Sequence, residues 1–85
     1  MLVDSLREAI CSQVARLLKE ERRKRHLSLS ALAERAGLSR QAVTFVEQEL
    51  RSPSLDTLLR ITLALEVDLG KIIARAHRLA SAKVK

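Results

Sequence analysis

Aromatic side chains are almost absent from the sequence. Its 85 residues include no tryptophan, no tyrosine and one phenylalanine, Phe45. Surfaces that bind single-stranded nucleic acids or RNA loops usually stack the bases on several aromatic rings. The composition therefore argues against that class of ligand.

Cysteine, glycine and proline are also scarce, with one, two and one residues respectively. The lone cysteine, Cys11, excludes an internal disulfide framework, and its place at the edge of an apolar stripe predicts a small buried side chain. His26 and His77 are not accompanied by a Cys/His cluster, which argues against a metal site. Few glycines and prolines leave little room for loops, and strand-like alternation is absent, so the sequence predicts an all-α fold.

The sequence also lacks membrane-spanning segments, a signal peptide and the motifs of common enzymes. No apolar run is long enough to cross a bilayer and nothing resembles a signal peptide, so a cytoplasmic protein is expected. The motifs of serine hydrolases, zinc proteases and phosphate-binding glycine loops are missing. These absences argue against an enzyme, and no cofactor is expected.

Positive charge is what the chain has in excess. Sixteen Lys and Arg residues against ten Asp and Glu residues give a formal net charge of +6. This charge favours a polyanionic partner, and a passive basic surface is the alternative. The length suffices for one domain, so residues 1–85 are expected to form a single unit.

The centre of the sequence predicts two short helices that meet at a glycine. Ser28 can cap a helix over 29–36 and Ser39 a helix over 40–48, because each hydroxyl can accept from an unpaired backbone N–H. Gly37 lies between them, where a sharp turn favours a residue without a Cβ. The apolar residues that let the two helices face one another are Leu32, Ala33, Ala36, Leu38, Val43 and Val46.

This stretch resembles the helix-turn-helix of the phage-repressor (Cro/CI, XRE-like) family of DNA-binding proteins. The matching features are Leu32–Ala33, Ala36–Gly37, Ser39, Val43, Val46 and Glu47, followed at the expected distance by PSLDTLLRI over 53–61. The resemblance covers residues 15–74, with 1–14 as an N-terminal helical extension and 75–85 as a helix end and frayed tail. It implies a five-helix repressor-like bundle with a central helix-turn-helix and extended first and last helices.

The resemblance also implies an interface with double-stranded DNA, because such proteins place the second helix of the motif in the major groove. The expected base contacts are Arg40, Gln41, Thr44 and Phe45. Arg and Gln can each form two hydrogen bonds to one base, whereas Phe45 could instead be a partly exposed core residue. The expected phosphate contacts are Ser28, Ser30, Ser39, Gln48, Arg51, Ser52 and Arg23.

Other residues receive structural roles from the same resemblance. Ala33, Gly37, Val43 and Val46 belong to the motif itself, and Arg22 is expected to pair with Glu47, tying the first helix to the second helix of the motif. His26 and Glu49 stand where the family commonly has glycine. His26 is expected either to take a left-handed cap or to contact DNA, and the helix that ends near Glu49 can run on by part of a turn.

Three further helices are predicted around the motif. The first runs from about Asp4, its expected cap, to Arg25, and its charge run allows pairs from Glu20 to Lys24 and from Glu21 to Arg25. The next, over 55–65 and capped by Ser54, has Leu55, Leu58, Leu59, Ile61 and Leu65 available for burial. The last runs from Leu69 to about Ser81, with Asp68 as its cap.

A homodimer is expected because one short helix reads few base pairs, and related proteins bind two half-sites. The last helix and the N-terminal extension carry more apolar residues than one core requires. The expected dimer interface comprises Ile72, Ile73, Ala76, Leu79, Leu6 and Ile10. The alternative is that these residues cover each other within one monomer.

The leading functional hypothesis is a small transcriptional regulator that binds a palindromic operator in a sequence-specific manner. Two alternatives remain: an antitoxin-like autorepressor with a toxin as partner, and a helical adaptor that uses the same fold to bind a protein. Arg40 and Gln41 favour DNA, since an adaptor has no need for that pair beside a cluster of cations.

Overall fold

The structure, a computed structural model, describes the backbone of residues 2–84 and the side chains of residues 3–82. Residues 2–84 form five helices and no strand, which confirms the predicted all-α fold. The helices are α1 (Leu2–Lys24), α2 (Leu29–Ala36), α3 (Arg40–Glu47), α4 (Leu55–Leu65) and α5 (Leu69–Val84). None of them combines the length and apolar character that crossing a bilayer requires.

Polar side chains fix the starts of four helices. The hydroxyls of Ser28, Ser39 and Ser54 each accept from the backbone N–H three residues ahead, at 3.0, 3.0 and 3.1 Å. Asp68 accepts in the same way from the N–H of Lys71 at 3.1 Å. Each contact pairs one of the N–H groups that a first helical turn leaves free. The starts of α2, α3, α4 and α5 therefore coincide with the prediction.

The outer ends of the two long helices differ from the prediction. α1 begins at Leu2, so Asp4 lies inside its first turn rather than at the cap, where its charge still complements the helix dipole. α5 continues to Val84, beyond the predicted end near Ser81. Two residues of the predicted frayed tail, 83–85, are thus helical, and Lys85 lies outside the described residues.

Non-glycine residues with positive φ follow the ends of three helices, α1, α3 and α4. His26, Glu49 and Glu66 have φ values of 54°, 57° and 59°, close to the 69° of Gly37. His26 therefore adopts the left-handed cap, the first of its two predicted alternatives. Glu49 takes the conformation that a glycine would supply, so α3 stops at Glu47 and does not run on.

Replacing His26 by glycine should stabilise the protein. A left-handed conformation costs an L-residue roughly 1–2 kcal/mol and costs glycine little, but glycine loses more backbone entropy on folding. We expect the free energy of unfolding of His26→Gly to rise by about 0.5–1 kcal/mol, measured by urea titration. The matched control is His77→Gly, exposed inside α5, which should lose about 1 kcal/mol. Equal losses in both variants would contradict the strain at His26.

The core draws on all five helices. Its buried apolar side chains are Val14, Leu17, Leu18, Leu32, Ala33, Val43, Val46, Ile61, Leu65, Ile72 and Ala76. α5 packs along α1 within one chain, and Ile10 of the N-terminal extension packs against the core. Ile72 and Ala76 are enclosed by this packing. Little of either side chain is therefore open to a partner in the single chain, and the predicted dimer interface stays a prediction.

Burial differs from the expectation at three residues. Cys11 is exposed, because one step along the helix turns it by about 100° from Ile10, which packs against the core. Leu55 and Leu59 are also exposed. α4 instead directs Ile61 and Leu65 inward. Leu59 lies about 160° around the helix from Ile61, and Leu55 stands at the first position of the helix.

Candidate nucleic-acid interface

The outer face of α3 carries the four residues predicted to contact bases. Val43 and Val46 are buried beneath it, Arg40 and Gln41 are exposed, and Thr44 and Phe45 are half-buried. Positions separated by three or four residues lie side by side on a helix. Arg40 and Gln41, which can form hydrogen bonds to base edges, are therefore exposed to solvent at the start of α3. The methyl group of Thr44 and the ring of Phe45 lie one helical turn further on.

Phe45 has a neighbour that the sequence did not reveal. The guanidinium carbon of Arg51 lies 4.9 Å from the centroid of the Phe45 ring, a cation–π distance. The contact arises because the N–H of Leu50 donates to the carbonyl of Phe45 at 3.0 Å and folds the loop back over the helix end. The half-buried Phe45 ring thus serves as a platform that orients Arg51.

Arg22 and Glu47 form a bidentate ion pair between α1 and α3. Nε of Arg22 donates to Oε2 of Glu47 at 2.7 Å, and Nη2 donates to Oε1 at 3.0 Å. Nη1 donates to the backbone carbonyl of Leu27 at 2.7 Å. The side chains are 11% and 5% exposed, and the hydrogen bond that Arg22 donates to Glu47 raises the pKa of Arg22, against the opposing effect of burial. The pair fixes α3 against α1 and against the turn that precedes α2.

A second contact joins α1 to the end of α3. The hydroxyl of Ser12 donates to Oε1 of Glu49 at 2.6 Å. Ser12 and Arg22 are ten residues apart, about 15 Å along a helix, so α1 holds the end of α3 from two separate points. No pattern in the sequence links Ser12 to Glu49, because the contact depends on where α1 crosses α3.

Comparison with known proteins identifies this arrangement. A sequence model described as Helix-turn-helix matches residues 18–72, which include α2, α3 and α4. The chain belongs to the XRE-like helix-turn-helix family. The family consists of DNA-binding transcriptional regulators. The first part of α1, which carries Ser12, lies outside the matched region.

Individual helix-turn-helix proteins agree with the family assignment. Two uncharacterised HTH-type transcriptional regulators from two strains of Mycobacterium tuberculosis, MT0491 and Rv0474, are each 39% identical over 59 residues. The match covers 69% of this chain and 42% of each relative, so the chain spans less than half the length of these relatives. The N-terminal DNA-binding domain of SinR from Bacillus subtilis superposes with a TM-score of 0.68 at 27% identity, covering 73% of this chain and 91% of that domain.

Some of the positive charges at the end of α1, over residues 20–25, are already paired with carboxylates and are less available to DNA phosphates. Glu21 bonds Arg25 at 2.7 Å and Lys24 at 3.2 Å, and the hydrogen bond from Arg25 lowers the pKa of its carboxyl group. The predicted pair of Glu20 with Lys24 is wrong, because Glu20 lies 3.5 Å from Arg16, one turn earlier, and Lys24 reaches Glu21. Arg23 stays exposed between these pairs.

The residues predicted to contact phosphate all reach solvent. They are Ser28, Ser30, Ser39, Gln48, Arg51, Ser52 and Arg23. Ser28 and Ser39 use a lone pair for capping, which leaves each hydroxyl proton able to donate to a phosphate oxygen. Both also mark the positive ends of helix dipoles, which favour anions.

Proposed function

We propose that this protein is a sequence-specific regulator that inserts α3 into the major groove of double-stranded DNA. The observation that carries the proposal is the exposed face of α3, where Arg40 and Gln41 precede Thr44 and Phe45. Arg matches the O6 and N7 acceptors of guanine, and Gln matches N6 and N7 of adenine. Because Glu47 on the same helix is held by Arg22, the backbone of α3 is already ordered before DNA binds, and little backbone entropy is lost on binding.

The surrounding residues fit a role in orienting α3 on the duplex. Capping hydroxyls at Ser28 and Ser39 and the cation of Arg23 can bind phosphates, which fix register without reading sequence. Arg51 stacks on the half-buried Phe45 ring. We propose that Arg51 approaches the DNA backbone and that the exposed part of the ring meets a thymine methyl group.

DNA affinity should fall steeply with salt. Each phosphate that a Lys or Arg neutralises contributes about −0.9 to the slope of log affinity against log salt concentration. Mobility-shift titrations over a salt series should therefore give slopes that are less steep by about 0.9 for Arg23→Ala and for Arg51→Ala. Arg78→Ala, which removes the same charge from the exposed side of α5, is the control and should keep the wild-type slope. An affinity that does not change with salt concentration would contradict the proposal.

We further propose that the regulator binds as a dimer to a palindromic operator. One eight-residue α3 touches few base pairs, whereas two copies on half-sites roughly 34–36 Å apart extend the contact by one turn of DNA. Selection of bound duplexes from a random library should return inverted repeats with that spacing. Recovery of single, asymmetric sites would show that one copy suffices.

A further inference from the structure

A stripe of exposed leucines runs along α4. Leu55, Leu59 and Leu63 are 65%, 41% and 71% exposed, and their four-residue spacing places them in one line. On the opposite side of the helix, Ile61 and Leu65 are almost fully buried. Single exposed leucines are common, but three in a line form a contiguous apolar patch of the kind that marks an interaction surface.

The charges around this leucine stripe nearly cancel. Nε of Arg60 donates to Oδ2 of Asp56 at 2.9 Å, so two charged neighbours of the stripe neutralise each other. Residues 54–66 contain two acidic side chains and one basic side chain, a net charge of −1 in a chain of +6. Two of the other exposed apolar residues, Ile73 and Leu79, lie on α5, where the nearby charged residues are all basic: Lys71, Arg75 and Arg78.

We propose that the leucine stripe of α4 binds a second copy of this chain and forms the dimer contact, an inference that rests on the proposed function. Two chains of +6 repel each other, and bringing like charges together opposes association, so the approach through α4 is favoured over the approach through α5. A two-fold contact pairs identical patches. If the two α4 helices cross antiparallel at Leu59, Leu55 of one copy lies beside Leu63 of the other, and apolar surface is removed from water without enclosing an unpaired charge.

The position of the stripe suits a dimer on DNA. Leu55 follows soon after the loop that contains Arg51 and Ser52, so a contact along α4 adjoins the proposed DNA-contacting loop. The stripe is narrow compared with the interface of a stable dimer, which buries more than about 1,000 Å² in total. We therefore expect weak association of the free protein, strengthened on an operator that holds two copies side by side.

Sedimentation equilibrium of the full chain without DNA, over a micromolar to millimolar concentration series, tests this contact. The wild type should reach the mass of a dimer as concentration rises. Leu59→Glu and Leu63→Glu should weaken association by about tenfold or more, because each copy loses a buried leucine. The matched control is Ile73→Glu on α5, since Ile73 is 40% exposed and Leu59 is 41% exposed. It should associate like the wild type.

Each outcome decides the proposal. Leu63 is the most exposed of the three leucines, so a folded but monomeric Leu63→Glu variant, checked by circular dichroism, would support the contact. Dissociation by Ile73→Glu with both α4 variants intact would move the interface to α5 and overturn the inference. A wild type that stays monomeric at millimolar concentration would also overturn it, as would α4 variants that associate normally. The mobility-shift titration answers separately whether DNA is bound at all.

Discussion

Glu47→Ala should lower the free energy of unfolding by about 3–5 kcal/mol. The substitution leaves the guanidinium of Arg22 without its bidentate partner in a site where only 11% of its side chain is exposed. Breaking a buried ion pair from one side is costly because the remaining charge is desolvated and unpaired. Since a domain of this size is stable by roughly 5–15 kcal/mol in total, the loss should be obvious in thermal and urea melts.

The same variant should also bind DNA more weakly at a temperature where it is still folded. α3 would lose its anchor to α1 and to the turn at Leu27, which Arg22 also bonds. The matched control is Glu20→Ala, because Glu20 forms an exposed pair with Arg16 at four-residue spacing. Such pairs contribute about 0.3–0.5 kcal/mol. If Glu47→Ala melted at the same temperature and urea concentration as the wild type, the ion pair would have to be exposed to water in solution.

The parts of the fold that depend on local signals were predictable from the sequence. A capping serine followed by an apolar period fixed the start of α2, α3 and α4, because the cap acts over three residues. The pair of Arg22 with Glu47, 25 residues apart, was expected only through the resemblance to a known family. Nothing local in the chain specifies it.

The parts that depend on how whole helices are oriented were not predictable. Leu55 and Ile61 lie on the same helix with similar hydrophobicity, and only the rotation of α4 against the core decides that one is exposed and the other buried. The stacking of Arg51 on Phe45 required the left-handed turn at Glu49. A glutamate gives little sign of that turn, since glycine is the usual residue there.

Arg40→Ala should lower affinity for the cognate operator by roughly 1–3 kcal/mol, a factor of about 5 to 150. The side chain is exposed at the first position of α3, where the proposed orientation brings it to the edges of the bases. Loss of a bidentate contact to guanine removes both affinity and discrimination at that base pair. Competition with operators changed at each position should therefore show relaxed specificity at one position of each half-site.

The control for Arg40→Ala is Arg78→Ala, which makes the same change in net charge on the exposed side of α5. It should weaken binding to all duplexes slightly and equally, because distant charges act through the screened overall potential. Arg40→Ala should differ by affecting the cognate operator far more than random DNA. Equal weakening on every sequence would make Arg40 a phosphate contact, and base readout would then fall to Gln41, the neighbouring exposed side chain with matching chemistry.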